Sequence, residues 1–230
     1  PVDVPNVTGL IATLSLTFPE LPTSGGVSVI RFAADGAIAD AYSILDGSQS
    51  NCAGGLTPWG TWLSCEEWED EEGYDAGKVW ECDPSGSTTA LSRPSLGVFK
   101  HEMVAVDPVR KQLYLSEDQP DGLFYQYTPP EGVWGSGHAL EGGVLRAMAV
   151  DGDGHVEWID IDPMVDPTAP GAPLRTAFAG ASTFDGGEGV VYDDGRVYLT
   201  TKGDDRVWVH DIGAQTMRVL YDGMSFPEPV

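Results

Sequence analysis

The sequence predicts an all-β chain of the β-propeller type, and three observations carry that expectation. Helical periodicity is nearly absent, whereas apolar runs of 4–8 residues recur between Asp-Gly, Gly-Gly, Asp-Pro and Pro-Glu-Gly turns. With 29 Gly and 17 Pro in 230 residues, about a fifth of the chain favours tight connections. A degenerate repeat of about 40 to 45 residues suits four-stranded blades better than a sandwich.

The strands expected from alternation and flanking turns are residues 27–32, 61–65, 78–82, 112–116, 123–127, 156–161, 196–201, 207–211 and 217–221. One strand type ends in a polar or charged residue, as in 61–66, 113–118 and 197–202. A second type follows with aromatics, as in Val79-Trp80, Leu123-Phe124-Tyr125 and Val207-Trp208, at separations of 44 and 84 residues. The larger is twice 42, which makes 156–161 the expected strand of an intervening unit. That spacing implies roughly five blades in a single domain over residues 1–230. The last strand runs into Ser225-Phe226-Pro227-Glu228-Pro229-Val230 without closing anything, so an incomplete ring is expected. Residues 1–20 lack the basic start and cleavage site of a signal peptide. Since the chain opens on Pro1, a leader or longer N-terminal part is expected ahead of it.

Charge narrows the partners. With 36 acidic against 12 basic residues the formal net charge is -24, which repels nucleic acid and anionic membranes. No segment reaches the ~18 to 20 consecutive apolar residues of a membrane span, so membrane insertion is not expected. The excess acid reads either as an adaptation for solubility or as carboxylates that converge on cations. Cys52, Cys65 and Cys82 cannot all pair within the chain, so at least one is free.

The densest constellation is residues 51–67, a Gly- and Pro-rich loop followed by a short strand ending in Cys65, Glu66 and Glu67. Alternation puts Cys65 and Glu67 on one face and Glu66 on the other. A thiolate beside carboxylates is unfavourable without a cation, because like charges raise one another's pKa. A transition metal would suit the sulfur, and a hard ion such as calcium the oxygens. The same residues also read as a buried cysteine followed by solvated glutamates. Further acidic groups lie at other strand ends: Glu102 after His101, Glu117 with Asp118, and Glu188 within Gly186-Gly187-Glu188-Gly189. Blade strands converge on an axis, so these would meet there. Two carboxylates ~5 Å apart repel by ~3 kcal/mol at an effective dielectric of about 20. Lys100 is the one cation immediately beside them in sequence, and bound metal is the simplest counter-charge.

Other motifs weigh less. Asp151-Gly152-Asp153-Gly154 opens like a calcium loop but continues as a hairpin turn would. Gly203-Asp204-Asp205 reads as a calcium-binding or a solvated turn, and His138, His155 and His210 lack ligand spacing.

Residues 51–67 resemble the signature of the PhoX alkaline phosphatase family. Further stretches match in the same order: Phe99-Lys100-His101-Glu102 with Ala105-Val106-Asp107-Pro108, then Leu113-Tyr114-Leu115-Ser116-Glu117-Asp118 with Asp121-Gly122-Leu123-Phe124-Tyr125. Gly187-Glu188-Gly189 with Val197-Tyr198-Leu199-Thr200-Thr201 completes the set. The resemblance implies a six-bladed propeller, exported to the periplasm or secreted, that hydrolyses a small phosphorylated substrate with calcium and iron. It implies Cys65 as an iron ligand and Glu102 and Glu188 as bridging carboxylates; these three form the expected catalytic set. Glu66, Glu67, Glu117 and Asp118 are expected close to the metals. The chain departs from the family at Gly186, where an arginine is expected to clamp phosphate. Two other functions share the architecture: a non-catalytic, calcium-stabilised binding module, and a calcium-dependent lactonase-type hydrolase.

Overall fold

A computed structural model describes residues 25–68, 76–169 and 172–225. Part of the expected C-terminal tail, Phe226–Val230, and residues 1–20 lie outside the described residues. The strands run in chain order: β1 Gly25–Phe32, β2 Ile38–Ser48, β3 Asn51–Leu56, β4 Trp62–Glu66, β5 Val79–Cys82, β6 Leu91–Ser92, β7 His101–Asp107 and β8 Gln112–Glu117. There follow β9 Phe124–Thr128, β10 Val144–Val150, β11 Val156–Asp160, β12 Gly187–Asp193, β13 Arg196–Thr201, β14 Arg206–Asp211 and β15 Thr216–Asp222. Short 3-10 turns occur at Pro94–Leu96, Leu174–Ala177 and Gly223–Ser225; among the described residues no helix is long and apolar enough to cross a membrane.

Every sheet is an antiparallel meander of consecutive strands. There is a hairpin β1-β2, and then three blades, β3 to β6, β7 to β11 and β12 to β15. All nine strands expected from alternation are present. The two strand types fall on the second strand of each blade (β4, β8, β13) and the third (β5, β9, β14). The spacing is explained differently from the expectation. Residues 156–160 form the fifth strand of the second blade, not a strand of an intervening one. The 84-residue separation therefore comes from this added strand and a long connection over 161–186.

The blades pack face to face through apolar seams. Between the first and second lie Leu63, Cys65, Val79, Phe99, Leu113, Leu115 and Tyr125. Between the second and third lie Tyr114, Phe124, Met148, Val197, Leu199 and Met217. Period-2 alternation along β8 sends Leu113 and Leu115 into one seam and Tyr114 into the other. The hairpin covers the far side of the first blade, with Ile44 and Leu45 packed near Cys82 and Trp80. Each fully buried Leu or Phe side chain contributes about 1.5 to 3 kcal/mol.

The first strands of the three blades, β3, β7 and β12, come together, β3 against β7 and β7 against β12. β3 lies in the stretch expected to be a Gly- and Pro-rich loop. Close approach explains its composition. A Cβ on Gly54 would stand 1.9 Å from the Leu63 carbonyl oxygen, and one on Gly55 2.1 Å from that of Val104.

His101 opens β7, fully buried, with Nε2 donating to the Gly97 carbonyl at 3.0 Å and the ring lying 3.6 Å from that of Phe99. Among the described residues its Nδ1 has no hydrogen-bond partner. Burial holds the imidazole neutral and its pKa down at about 3. The unfolded chain takes up a proton near pH 6.5 that the folded chain refuses, so stability present at neutral pH is lost as pH falls from 6.5 towards 3. Between pH 7 and pH 4.5 this residue should cost roughly 2 to 3 kcal/mol. Urea midpoints at the two pH values, for the wild type and His101→Phe, check this: the variant should lose less on acidification.

Candidate metal centre

One irregularity recurs in the same place in each blade. Between β3 and β4, Asn51 pairs with Glu66 but Gly54 with Ser64, so β3 carries one extra residue. Between β7 and β8, His101 pairs with Glu117 but Val104 with Leu115. Between β12 and β13, Gly187 pairs with Thr201 but Val190 with Leu199. A bulge of this kind turns a side chain out of the ladder's alternation. The second residues of the three strands, where the bulges begin, are Cys52, Glu102 and Glu188.

The residue just past each second strand is placed equivalently. The N–H of Glu67 donates to the Ser50 carbonyl at 3.0 Å, that of Asp118 to Lys100 at 3.0 Å and that of Lys202 to Gly186 at 2.9 Å. Each blade thus supplies two groups: Cys52 with Glu67, Glu102 with Asp118, and Glu188 with Lys202. Donor atoms of Cys52, Glu67 and Glu102 lie within 4.8 Å of one another, and so do those of Glu102, Asp118 and Glu188. Glu102 belongs to both sets, and its Oε1 accepts from the Cys52 thiol at 2.9 Å.

The last residue of each second strand turns inward and anchors the fold. Glu66 is buried and accepts from the backbone N–H of Gln49 at 2.8 Å and of Lys78 at 3.0 Å. Glu117 is fully buried against Arg175 at 3.0 Å, the Tyr125 hydroxyl at 2.7 Å and the Leu123 N–H at 2.9 Å. Burial raises its pKa to about 7, against the pull of these donors. Neither glutamate joins the two donor sets, although both were expected near the metals.

Cys65 is the other departure. It sits fully buried in the seam beside Leu63 and Val79, its thiol pushed well up by burial first and then by Glu102 and Cys52. The thiol in the donor sets is that of Cys52, which is exposed overall. Its pKa rises to about 12, from desolvation around the sulfur and then from Glu102. Cys52 also lines a cavity of about 530 Å³ beneath the hairpin, with Val27, Val29, Leu56 and Trp62 on its walls.

Cations interleave the carboxylates more than adjacency in sequence suggests. Lys100 Nζ bridges Glu67 at 3.0 Å and Asp118 at 2.8 Å, and Lys202 Nζ bridges Asp118 at 2.7 Å and Glu188 at 2.8 Å. These contacts pull the Asp118 pKa down to about 2, against desolvation. Glu102 has neither lysine; burial first, then Glu188, Glu67 and Asp118, push its pKa up. Lys202 is brought to Glu188 by the pairing of β12 with β13, which residue spacing does not show.

The donor chemistry fits bound cations. Separations under 4.8 Å suit one ion with metal–oxygen bonds of about 2.3 to 2.6 Å. Four carboxylates face only two ammonium groups, and the one thiol stands with Glu67 and Glu102, a set that suits a softer ion. The motif of residues 151–154 is a turn, in which Asp151 accepts from the N–H groups of Asp153 at 2.9 Å and His155 at 2.8 Å. Gly203 to Asp205 form the turn between β13 and β14. His138 pairs with Glu141 at 2.8 Å and His210 with the Thr216 carbonyl at 3.0 Å, neither of them in the donor sets.

A family model described as alkaline phosphatase PhoX matches residues 22–219. No curated protein matches the chain in sequence. Among solved structures, PhoX of Pseudomonas fluorescens, in complex with the transition-state analogue vanadate, matches with a TM-score of 0.60 at 18% identity. The match covers 84% of this chain and 52% of that one, so the chain spans about half the length of that structure. The PQQ-bound aldose sugar dehydrogenase of Streptomyces coelicolor matches at TM-score 0.30 and 12% identity, over 88% of this chain and 87% of that one. A nidogen/laminin complex matches at 0.27 and 11%, over 87% and 90%.

Proposed function

The chain belongs to the PhoX alkaline phosphatase family, and from that premise we propose that its clustered strand ends form a metal-dependent phosphomonoesterase centre for small phosphorylated substrates. The observation that carries the reading is the pair of donor sets sharing Glu102, one all-carboxylate and one with a thiol. In this reading Glu102, Asp118 and Glu188 hold calcium, while Cys52, Glu67 and Glu102 hold iron. Cys52 takes the role that the family resemblance implied for Cys65. Bound there, the ions would polarise a phosphoryl group and offset the charge that develops on it.

The chain's own residues set the stage. Burial first, then Glu188, Glu67 and Asp118, push the Glu102 pKa up, and a cation beside it would favour the charged carboxylate. Lys100 holds Glu67 of the first blade against Asp118 of the second, which fixes the two sets relative to each other. The buried anchors Glu66 and Glu117 hold the strand ends from which Glu67 and Asp118 project. Export to the periplasm or the cell exterior belongs to the same reading and rests on family membership.

Elemental analysis and hydrolysis of an aryl phosphate by the calcium- and iron-loaded chain test this reading. Cys52→Ser should lower iron content and kcat/KM by about 10- to 100-fold. Cys65→Ala should cost about 1 kcal/mol of stability and leave the metals in place. Iron retained in full by Cys52→Ser would refute the thiol's assignment. A second reading, a calcium-stabilised module without catalysis, is favoured by Gly186 in place of a clamping arginine. It predicts calcium without iron and no turnover.

A further inference from the structure

Gly186 leaves a gap in the expected phosphate contact, and the structure shows what fills the space. Its backbone is held at φ +66, with its N–H on the Gln119 carbonyl and its carbonyl accepting from the Lys202 N–H, both at 2.9 Å. A Cβ at 186 would stand 2.8 Å from Lys202 Cγ, 3.3 Å from its Cε and 3.6 Å from Asp118 Oδ1. The lysine's stem therefore crosses the ground that a side chain at 186 would need. A left-handed φ disfavours any L residue there as well.

The blade equivalence sharpens this. At the position just past the second strand, the first two blades carry Glu67 and Asp118, and the third carries Lys202. At the position before the first strand, the second blade carries Lys100 and the third Gly186. The first blade carries Ser50 at that position, so the third blade differs from both others in bearing its cation past the second strand, where they bear carboxylates. Lys202 is also the open one of the two lysines, its side chain 57% exposed against 27% for Lys100.

We propose that Lys202 is the phosphate-binding cation of this chain, seated over Gly186 in place of the arginine. The proposal rests on the phosphatase reading for the site's location and names the group that receives the substrate's anionic oxygens. A cation held by Glu102, Asp118 and Glu188 draws on both carboxylates that Lys202 now pairs with. Like-charge repulsion then turns the ammonium towards an incoming anion. An ammonium binds phosphate as a point charge rather than as a two-pronged fork.

The test is titration of the metal-loaded full chain with inorganic phosphate, followed by calorimetry, alongside hydrolysis of an aryl phosphate. Lys202→Gln should raise the phosphate Kd at least about tenfold, the scale of one charge-assisted contact. Lys202→Arg should stay within about threefold of wild type. Gly186→Ala, which retains the charge but crowds the stem, should weaken phosphate binding without loss of metal. Phosphate binding by Lys202→Gln equal to wild type, or none by the wild type, overturns the proposal. If Lys202→Gln hydrolyses with unchanged KM, Lys202 is not the phosphate contact and the phosphatase reading stands. If phosphate binding depends on Lys202 while no ester is hydrolysed, the phosphate site stands and the phosphatase reading falls.

Discussion

Glu102→Gln should abolish calcium- and iron-dependent phosphate ester hydrolysis more completely than any other single exchange in the cluster. Glu102 is the one residue common to the two donor sets, so its loss removes a ligand from each. Glutamine keeps the shape and an acceptor oxygen but removes the charge that a hard cation needs. Losing even an outer-shell partner costs a metal site about 10- to 100-fold. Loss of a shared direct ligand should exceed about 100-fold in kcat/KM, with both metals depleted by elemental analysis. Glu188→Gln touches one set only, and should deplete calcium while sparing iron. Equal depletion of both metals by the two variants would refute the shared-ligand arrangement.

Gly55→Ala should have a large effect on the fold, and one that reaches the contact between two blades. The added methyl would meet the Val104 carbonyl oxygen at 2.1 Å, and backbone on both sides fixes that distance. Relief requires β3 and β7 to part, which opens the seam at the end where Cys52 and Glu102 meet. Overpacking typically costs 1 to 3 kcal/mol, and a rigid backbone partner places this change at about 3 kcal/mol or more. For a chain of this size that lowers Tm by roughly 6 to 12 °C. Gly152→Ala is the control, because nothing lies within 4 Å of the added carbon. It should stay within about 0.5 kcal/mol of wild type. Thermal scans of the two variants decide the point; a Gly55→Ala protein as stable as Gly152→Ala would mean that β3 and β7 are not tightly apposed.

Much of the fold was legible because period-2 alternation and turn residues speak for themselves. β8 and β13 announce themselves in Leu113-Tyr114-Leu115 and Val197-Tyr198-Leu199. β3 does not, since the close approach that makes it a strand also demands glycine, which sequence reasoning takes as a loop. β10 and β11 stayed hidden in their role, because which blade a strand joins is settled by pairing rather than by period. The site shows the same division. Glu67, Glu102, Asp118 and Glu188 were visible as acid at strand ends. The resemblance implied Cys65 as the thiol ligand, whereas the donor sets contain Cys52, and the bulge that redirects Cys52 leaves no mark in residue spacing. The resemblance also implied Glu66 and Glu117 near the metals; each points inward to hold backbone or Arg175.

The recurring bulge has a bearing on how such a centre changes over time. Each blade offers the same seats, one at the second residue of its first strand and one past its second strand, and none of these six side chains belongs to an apolar seam. Exchanging an occupant alters the sign or softness of the cluster while the scaffold goes on folding as before. A one-residue deletion inside a bulge is the opposite case: it would restore strict pairing and swing that blade's donor to the other face of the sheet, erasing its contribution at a stroke.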